Sequence, residues 1–305
     1  MSFVWYICLC VLVYEPCMQE RFSSVNDGGV QMIPRVIHYC WFGENHISEQ
    51  ALKCIRSWKR YCPDYKIIEW NESNFDIHCN QYVEQAYSLK KWAFVSDYAR
   101  LSVIYNEGGI YLDTDVELLK GLDDLIVSEA FFAQEIGGMV NTGLGFGAEK
   151  GNIVVKKMMD EYENAKFILK NDEIDMLPCP IRNTKVLYDF GYRKNGKTQT
   201  VKNVTIYAAD FFCPFDYIKK RMKLTANTYS IHHYEGTWDY PKEIKDRYKV
   251  FYLLGGHHIG HFACETGEKI KNEGMRKAFR FVRYRVKSKI RKVWISNKRF
   301  KYEKK

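Results

Sequence analysis

The chain has 305 residues and an ordinary globular composition, 46% apolar and 27% charged, with a net charge of +9. That length is enough to bury a full α/β core. The ten cysteines contain no Cys-x-x-Cys pair, which excludes paired metal-site spacing, and a chain this long needs no disulfide framework, so they read as reduced thiols of a cytosolic protein.

Residues 1–31 differ from the rest. Ser2 to Tyr14 is a nearly unbroken apolar run, too short to cross a bilayer as a helix, which takes about 20 residues. No basic stretch precedes it as in a signal peptide. The expectation is that Met32 is the natural start and 1–31 an upstream extension; a short membrane anchor is the alternative. Arg35 to Phe42 has a buried-strand pattern ending at Gly43. Ser48 opens a helix with Ala51, Leu52, Ile55 and Trp58 on one stripe. Pro63-Asp64 turns the chain into a second strand, Tyr65 to Trp70, and strand–helix–strand in this span is a βαβ unit of a parallel sheet.

A helix at Gln81–Leu89 and another at Trp92–Glu107 follow. The second stops at Gly108-Gly109, because glycine enters a left-handed cap cheaply. Ile110-Tyr111-Leu112 then reads as a short buried strand, and at its end stand Asp113 and Asp115. Spacing i, i+2 in extended chain puts both carboxylates on one side. Two carboxylates held together need neutralising, and the economical agent is a hard divalent cation, Mg²⁺ or Mn²⁺, which keeps positions open for phosphate oxygens. On the preceding helix Asp97 and Arg100 share a face at i, i+3, with Ser96 beside them.

Beyond this centre, Val116–Leu119 continues outward and Leu122–Ile126 makes a helical turn. Ala130–Gln134 is a strand, and Asn141-Thr-Gly-Leu-Gly-Phe-Gly-Ala148 is glycine-rich without the Gly-Lys-Ser/Thr of a P-loop. The pattern predicts an amphipathic helix over 153–170 and another near 181–190. A polar hairpin-like insert at Tyr192–Val201 turns at Asn195-Gly196, and strands are predicted at Val204–Ala208 and Tyr229–Tyr234. A helix is predicted at Glu243–Leu254. His257 and His261 are i, i+4, but Gly255, Gly256 and Gly260 make that helix poor, and zinc is not expected. From Lys269 on there are sixteen basic residues against two acidic ones, with Phe279, Val282, Val286, Ile290 and Val293 at helical spacing. This is a basic amphipathic helix, spanning about 276–301, suited to an anionic membrane surface. No recognition motif accompanies it, so no nucleic acid is expected.

The segment from Phe94 through Ser96, Asp97 and Arg100 to Gly108-Gly109-Ile-Tyr-Leu-Asp-Thr-Asp115 resembles the DXD sugar-binding region of glycosyltransferase family 32, and more distantly the glucosyltransferase domains of clostridial toxins. The likeness extends to Ile33-Pro…Ile37-His…Trp41, to the stretch from Ser57 to Glu72, to Asn141-Thr-Gly and to His232-His233…Trp238, covering about 32–240. It implies a GT-A fold, a Rossmann-like mixed sheet flanked by helices, over 32–265, with the basic tail at 266–305. It also implies a retaining, metal-dependent transfer of a hexose from a nucleotide-sugar, a UDP-sugar first, to a glycan or lipid-linked hydroxyl in surface polysaccharide synthesis. The same resemblance implies the roles. Asp115 and Asp113 hold Mn²⁺ or Mg²⁺ with a third ligand from the histidine pair, His233 first and His232 second, since adjacent strand residues face opposite ways. Asp97 and Arg100 bind sugar hydroxyls and the diphosphate side. Trp41, Ser96, Tyr111, Asn141 and Trp238 surround the donor. The protein is then expected in the cytoplasm at the inner face of the membrane. A toxin-like transferase acting on protein and a non-catalytic sugar- or membrane-binding protein are the alternatives. A phosphatase of the haloacid-dehalogenase kind is disfavoured, because Glu117 stands where that motif wants Thr or Val.

Overall fold

The computed structural model describes residues 33–169, 174–216 and 221–234. The predicted helix at 243–254, His257, His261, Trp238, the basic tail and residues 1–31 lie outside the described residues. Among the described residues no helix is long and apolar enough to cross a membrane.

Strand β1 (Val36–Cys40) leads to helix α1 (Glu49–Tyr61) and strand β2 (Lys66–Trp70). The helix begins at Ser48 because the serine hydroxyl accepts the Ala51 N–H at 3.1 Å. Its inward stripe is Ala51, Cys54, Ile55 and Trp58. Leu52, predicted to be part of it, lies on the shoulder and is exposed; the small thiol of Cys54 takes the position facing the sheet. α2 (Gln81–Ser88) and α3 (Trp92–Glu107) follow. α3 stops at Gly108, whose φ of 70° is left-handed. A Cβ on Gly109 would lie 2.8 Å from the Val36 carbonyl oxygen, so the chain crosses β1 only as glycine.

Strand β3 (Gly109–Tyr111) is short and fully buried. β4 (Val116–Leu118) leaves the sheet, a 3-10 turn covers Asp123–Leu125, and β5 (Ala130–Ala133) and β6 (Phe146–Ala148) return to it. Helix α4 (Ile153–Glu163) ends well short of the predicted 170; the chain turns at Asn164. α5 (Cys179–Asp189) precedes β7 (Gln199–Val201) and β8 (Val204–Tyr207). These two strands form a hairpin whose turn is Lys202-Asn203, both at positive φ, not Asn195-Gly196. The predicted turn lies in the loop that precedes the hairpin. A short α6 (Ala209–Phe212), a small β9–β10 hairpin (Phe215–Asp216 and Arg221–Met222) and β11 (Ser230–His232) complete the described chain.

The main sheet has seven strands in the order β2-β1-β3-β6-β5-β8-β7. β1, β2 and β3 are parallel, β6 is antiparallel to both β3 and β5, and β8 is parallel to β5. Five strands therefore point the same way, and their carboxyl ends share one edge. The order also reverses between β1 and β3, the place where open α/β sheets take ligands. Alternation of side chains feeds two cores. Ile37, Ile110, Leu112 and Phe131 pack on the α1 face. Cys40, Tyr111, Phe132 and Phe146 pack on the face of α2 to α5. The expected mixed sheet flanked by helices is the fold of the described residues.

His38 locks the crossing of β1, β2 and the Gly108-Gly109 stop. It is buried, its Nδ1 lies 3.0 Å from Trp70 Nε1 and its Nε2 3.0 Å from the Gly108 carbonyl oxygen. The indole can only donate, so Nδ1 is bare and Nε2–H donates to Gly108: only the neutral ring fits both partners. Burial accordingly holds its pKa down to about 4, against an ordinary 6.5. A base with a lowered folded pKa stabilises the protein above the unfolded pKa and loses that contribution as pH falls towards the folded one. Urea unfolding at pH 7 and pH 4.5 should show wild type losing more stability on acidification than His38→Gln, a difference on the order of 3 kcal/mol when the window is fully crossed. Equal pH dependence of the two proteins contradicts this assignment.

Candidate active site

The carboxyl edge of the sheet gathers the polar residues. Trp41 follows β1, Asp113 stands two residues past β3, Gln134-Glu135 follow β5, and the loop entering β6 holds Asn141 to Gly145. Asp113 and Asp115 stand at the middle of this edge. β11 pairs antiparallel with β4, with His232 opposite Val116 and Ser230 opposite Leu118. Directly opposed residues share a face, so the buried side of β4 places His232 inward. One ligand atom each from Asp113, Asp115 and His232 lies within 4.8 Å of the others. His232 Nε2 is 3.1 Å from Asp115 Oδ1, and its Nδ1 is buried without a hydrogen-bond partner.

The preference for His233 over His232 is reversed by this register. His233 turns outward, where its Nε2 meets Glu117 Oε2 at 2.8 Å, alongside Lys53 at 3.2 Å. Which histidine faces inward depends on the β4–β11 pairing, a contact between distant segments that strand alternation alone cannot supply.

Beneath the two aspartates lies Arg100, which is buried. Its Nη2 is 3.2 Å from Asp113 Oδ1 and 3.3 Å from Asp97 Oδ1, and its guanidinium sits 4.9 Å from the Tyr111 ring centre. Its Nε donates to the Ser96 carbonyl at 3.0 Å. The Tyr111 hydroxyl donates to Asp113 Oδ1 at 3.0 Å. Tyr111 and Arg100 therefore brace Asp113 from beneath. Burial raises the pKa of Asp113, Arg100 opposes that and Asp115 adds to it, so the balance stays above the ordinary carboxylate range. Burial pushes Asp97 up to about 6 despite Arg100. At His232 burial disfavours the charged ring, but the nearby carboxylates of Asp115, Asp113 and Glu135 outweigh it and the pKa rises. A proton-hungry imidazole between two carboxylates, with an orphaned buried ring nitrogen, is a donor set of oxygens and one nitrogen that suits a divalent cation.

The Asn141-Thr-Gly turn closes against this centre. Asn141 Oδ1 accepts the Gly143 N–H at 2.7 Å, and Asn141 Nδ2 donates to Glu135 Oε1 at 2.7 Å. A Cβ on Gly143 would stand 2.2 Å from Asp113 Oδ2. The glycine is thus required by the approach of the loop to the aspartate. Trp41, at the β1 end, is half-buried, with its Nε1 donating to the Asn45 carbonyl at 2.7 Å. Glu135 was not singled out from the sequence; the only signal is an acidic residue at a predicted strand's carboxyl end, followed by Gly137-Gly138.

Residues 48–132 match the family model described as the glycosyltransferase sugar-binding region containing the DXD motif. Over this region the chain is similar to the DXD-type glycosyltransferases and is family-32-like. Among curated proteins, it is 30% identical over 125 residues to inositol phosphoceramide mannosyltransferase 1 of Schizosaccharomyces pombe (strain 972 / ATCC 24843), covering 36% of this chain and 38% of that protein. It is 28% identical over 123 residues to inositol phosphoceramide mannosyltransferase 3 of the same organism, covering 37% and 33%. The aligned stretch thus spans little more than a third of these relatives. Among solved structures, PaToxG glycosyltransferase aligns over 52% of this chain and 70% of its own, at 23% identity and a TM-score of 0.41.

Gly143→Ala should displace Asp113 and weaken Mn²⁺ binding by about tenfold or more, the scale on which supporting contacts act on metal sites. Calorimetric titration of Mn²⁺ into folded wild type and variant checks this, and unchanged affinity contradicts it.

Proposed function

We propose that the protein is a retaining, metal-dependent glycosyltransferase that moves a hexose from a nucleotide-sugar to a hydroxyl of a glycan or lipid-linked saccharide. The observation that carries this reading is the Asp113–Asp115–His232 cluster at the carboxyl edge of the sheet, whose two aspartates lie in the DXD-type region. The chemical difficulty is the leaving group: a departing nucleoside diphosphate gathers negative charge on its phosphates. A Mn²⁺ or Mg²⁺ held by these three side chains would supply Lewis-acid charge at that point. Arg100 maintains the positive charge beneath Asp113 and fixes its orientation. Trp41 offers a flat, half-dry face for the base. Asn141, with Asp97 and Ser96 on the α3 side, is the partner assigned to sugar hydroxyls. In this reading the protein works in the cytoplasm on the membrane's inner face; the support is the strongly basic sequence after Lys269.

A UDP-sugar is the first candidate donor. A mannosyl donor with an inositol phospholipid acceptor is the second reading, favoured by the names of both curated relatives. Release of nucleoside diphosphate from UDP-glucose, UDP-galactose, UDP-N-acetylglucosamine and GDP-mannose separates them. The expected outcome is release from one donor with Mn²⁺ or Mg²⁺, abolished by EDTA and reduced by about 100-fold or more in Asp115→Ala. Release that ignores EDTA, or an Asp115→Ala protein as active as wild type, would remove the metal mechanism.

A further inference from the structure

β11 ends in His232, and His233 follows it directly. A slip of one residue against β4 would exchange their faces, turning His233 to the aspartates and His232 outward. The ladder has three residue pairs, so few side chains stand against that slip. The inner side offers Val116 and Leu118, which are apolar, and Ser230, whose buried hydroxyl has no hydrogen-bond partner among the described residues. Apolar side chains and an unengaged hydroxyl set no polar register. The outer side does. The His233 N–H donates to the Asp115 carbonyl at 3.0 Å. Its Nε2 lies 2.8 Å from Glu117 Oε2, and since a carboxylate only accepts, Nε2–H is the donor. The same oxygen takes Lys53 Nζ of α1 at 3.2 Å. α1 also grips the strand on which Glu117 stands. The Trp58 indole donates to the Val116 carbonyl at 2.7 Å, and the Ser57 hydroxyl accepts the Leu118 N–H at 2.9 Å. Glu117 is thus held in place by an element outside the ladder, and it faces the histidine that does not face the aspartates.

Resting on the reading of Asp113, Asp115 and His232 as a divalent-cation site, we propose that Glu117 is a positioning residue for it: Glu117 grips His233 from outside, with Lys53 behind it, fixes the β11 register and so brings His232 to Asp115. His233 is then the handle by which its neighbour is aimed. Glu117 touches neither the ion nor the substrate in this scheme. Its loss reaches the cation only through the register of β11.

The test uses the full chain with Mn²⁺ alone, read by calorimetry. Glu117→Val suits a strand and removes the acceptor. Its Mn²⁺ affinity should fall by about tenfold or more, the scale on which contacts behind a ligand act on metal sites. Glu117→Gln keeps an acceptor oxygen for His233 and should recover most of that loss. His233→Ala should cost as much as Glu117→Val, and the double variant no more than either alone, because a grip needs both of its partners. Amide hydrogen exchange over residues 229–233 of the metal-free protein should quicken in Glu117→Val and not in Glu117→Gln. Wild-type Mn²⁺ affinity in Glu117→Val, even with lowered stability to urea, overturns the inference and leaves the metal site standing. So do additive losses in the double variant, an equal loss in Glu117→Gln, or unchanged exchange in Glu117→Val. A wild-type protein that binds no Mn²⁺ overturns both.

Discussion

The structure turns on a charge problem at the end of β3. Asp113 and Asp115 are held beside each other in a largely buried setting, where like charges repel and burial disfavours both. The protein answers from two directions. From below, Arg100 places a buried guanidinium against Asp113, and from the far end of the chain His232 brings its imidazole to Asp115. Neither is a free choice once the other elements are set. Arg100 can reach Asp113 only because α3 stops at Gly108-Gly109 and β3 returns beneath it. His232 can reach Asp115 only because β11 lies on β4 in one register. A buried ion pair of this kind adds little stability by itself; what it contributes is placement.

The same placement explains why so much fine detail collects on one loop. The Asn141-Thr-Gly turn supplies no charge, yet it packs its backbone against Asp113 at a spot where a side chain would not fit. Asn141 spans the turn, its Oδ1 on the backbone of its own turn and its Nδ2 on Glu135. The turn therefore acts as a spacer between two acidic groups, Asp113 on one side of the loop and Glu135 on the other.

Much of this was legible in the sequence, and the pattern of what was not has a physical cause. The β1–α1–β2 unit, the three helices before the centre and the Gly-Gly stop follow from local signals: a serine cap, apolar periodicity, glycine conformational freedom. The Asp113/Asp115 pair was legible as a pair but not by extended geometry: Thr114-Asp115 form a turn between β3 and β4, closed by the Val116 N–H on the Asp113 carbonyl at 3.0 Å. What failed or went unseen depended on contacts between distant segments. The inward histidine was set by the β4–β11 register. The contacts by which Tyr111 and Arg100 brace Asp113 were set by how α3 packs on β3. The end of α4 was set by where the chain must turn back, and the hairpin turn at Lys202-Asn203 by the pairing of β7 with β8, against a stronger turn signal at Asn195-Gly196. Glu135 became visible only when the antiparallel insertion of β6 brought β5 next to the centre.

The β11 ladder has a consequence in time as well as space. Every strand of the seven-stranded sheet is made before Ser230–His232 leaves the ribosome. The half-site of two aspartates and an arginine is therefore complete in a chain that still lacks its third donor. Docking of that donor closes a loop running from residue 115 to residue 232, and the entropy of that closure is charged to the three-residue β11–β4 ladder and to whatever the imidazole binds. An ion that bridges Asp115 and His232 would thus act as a clasp on the late-made segment. Its affinity and the docking of that segment must then rise and fall together, each strengthened by the other to the same degree.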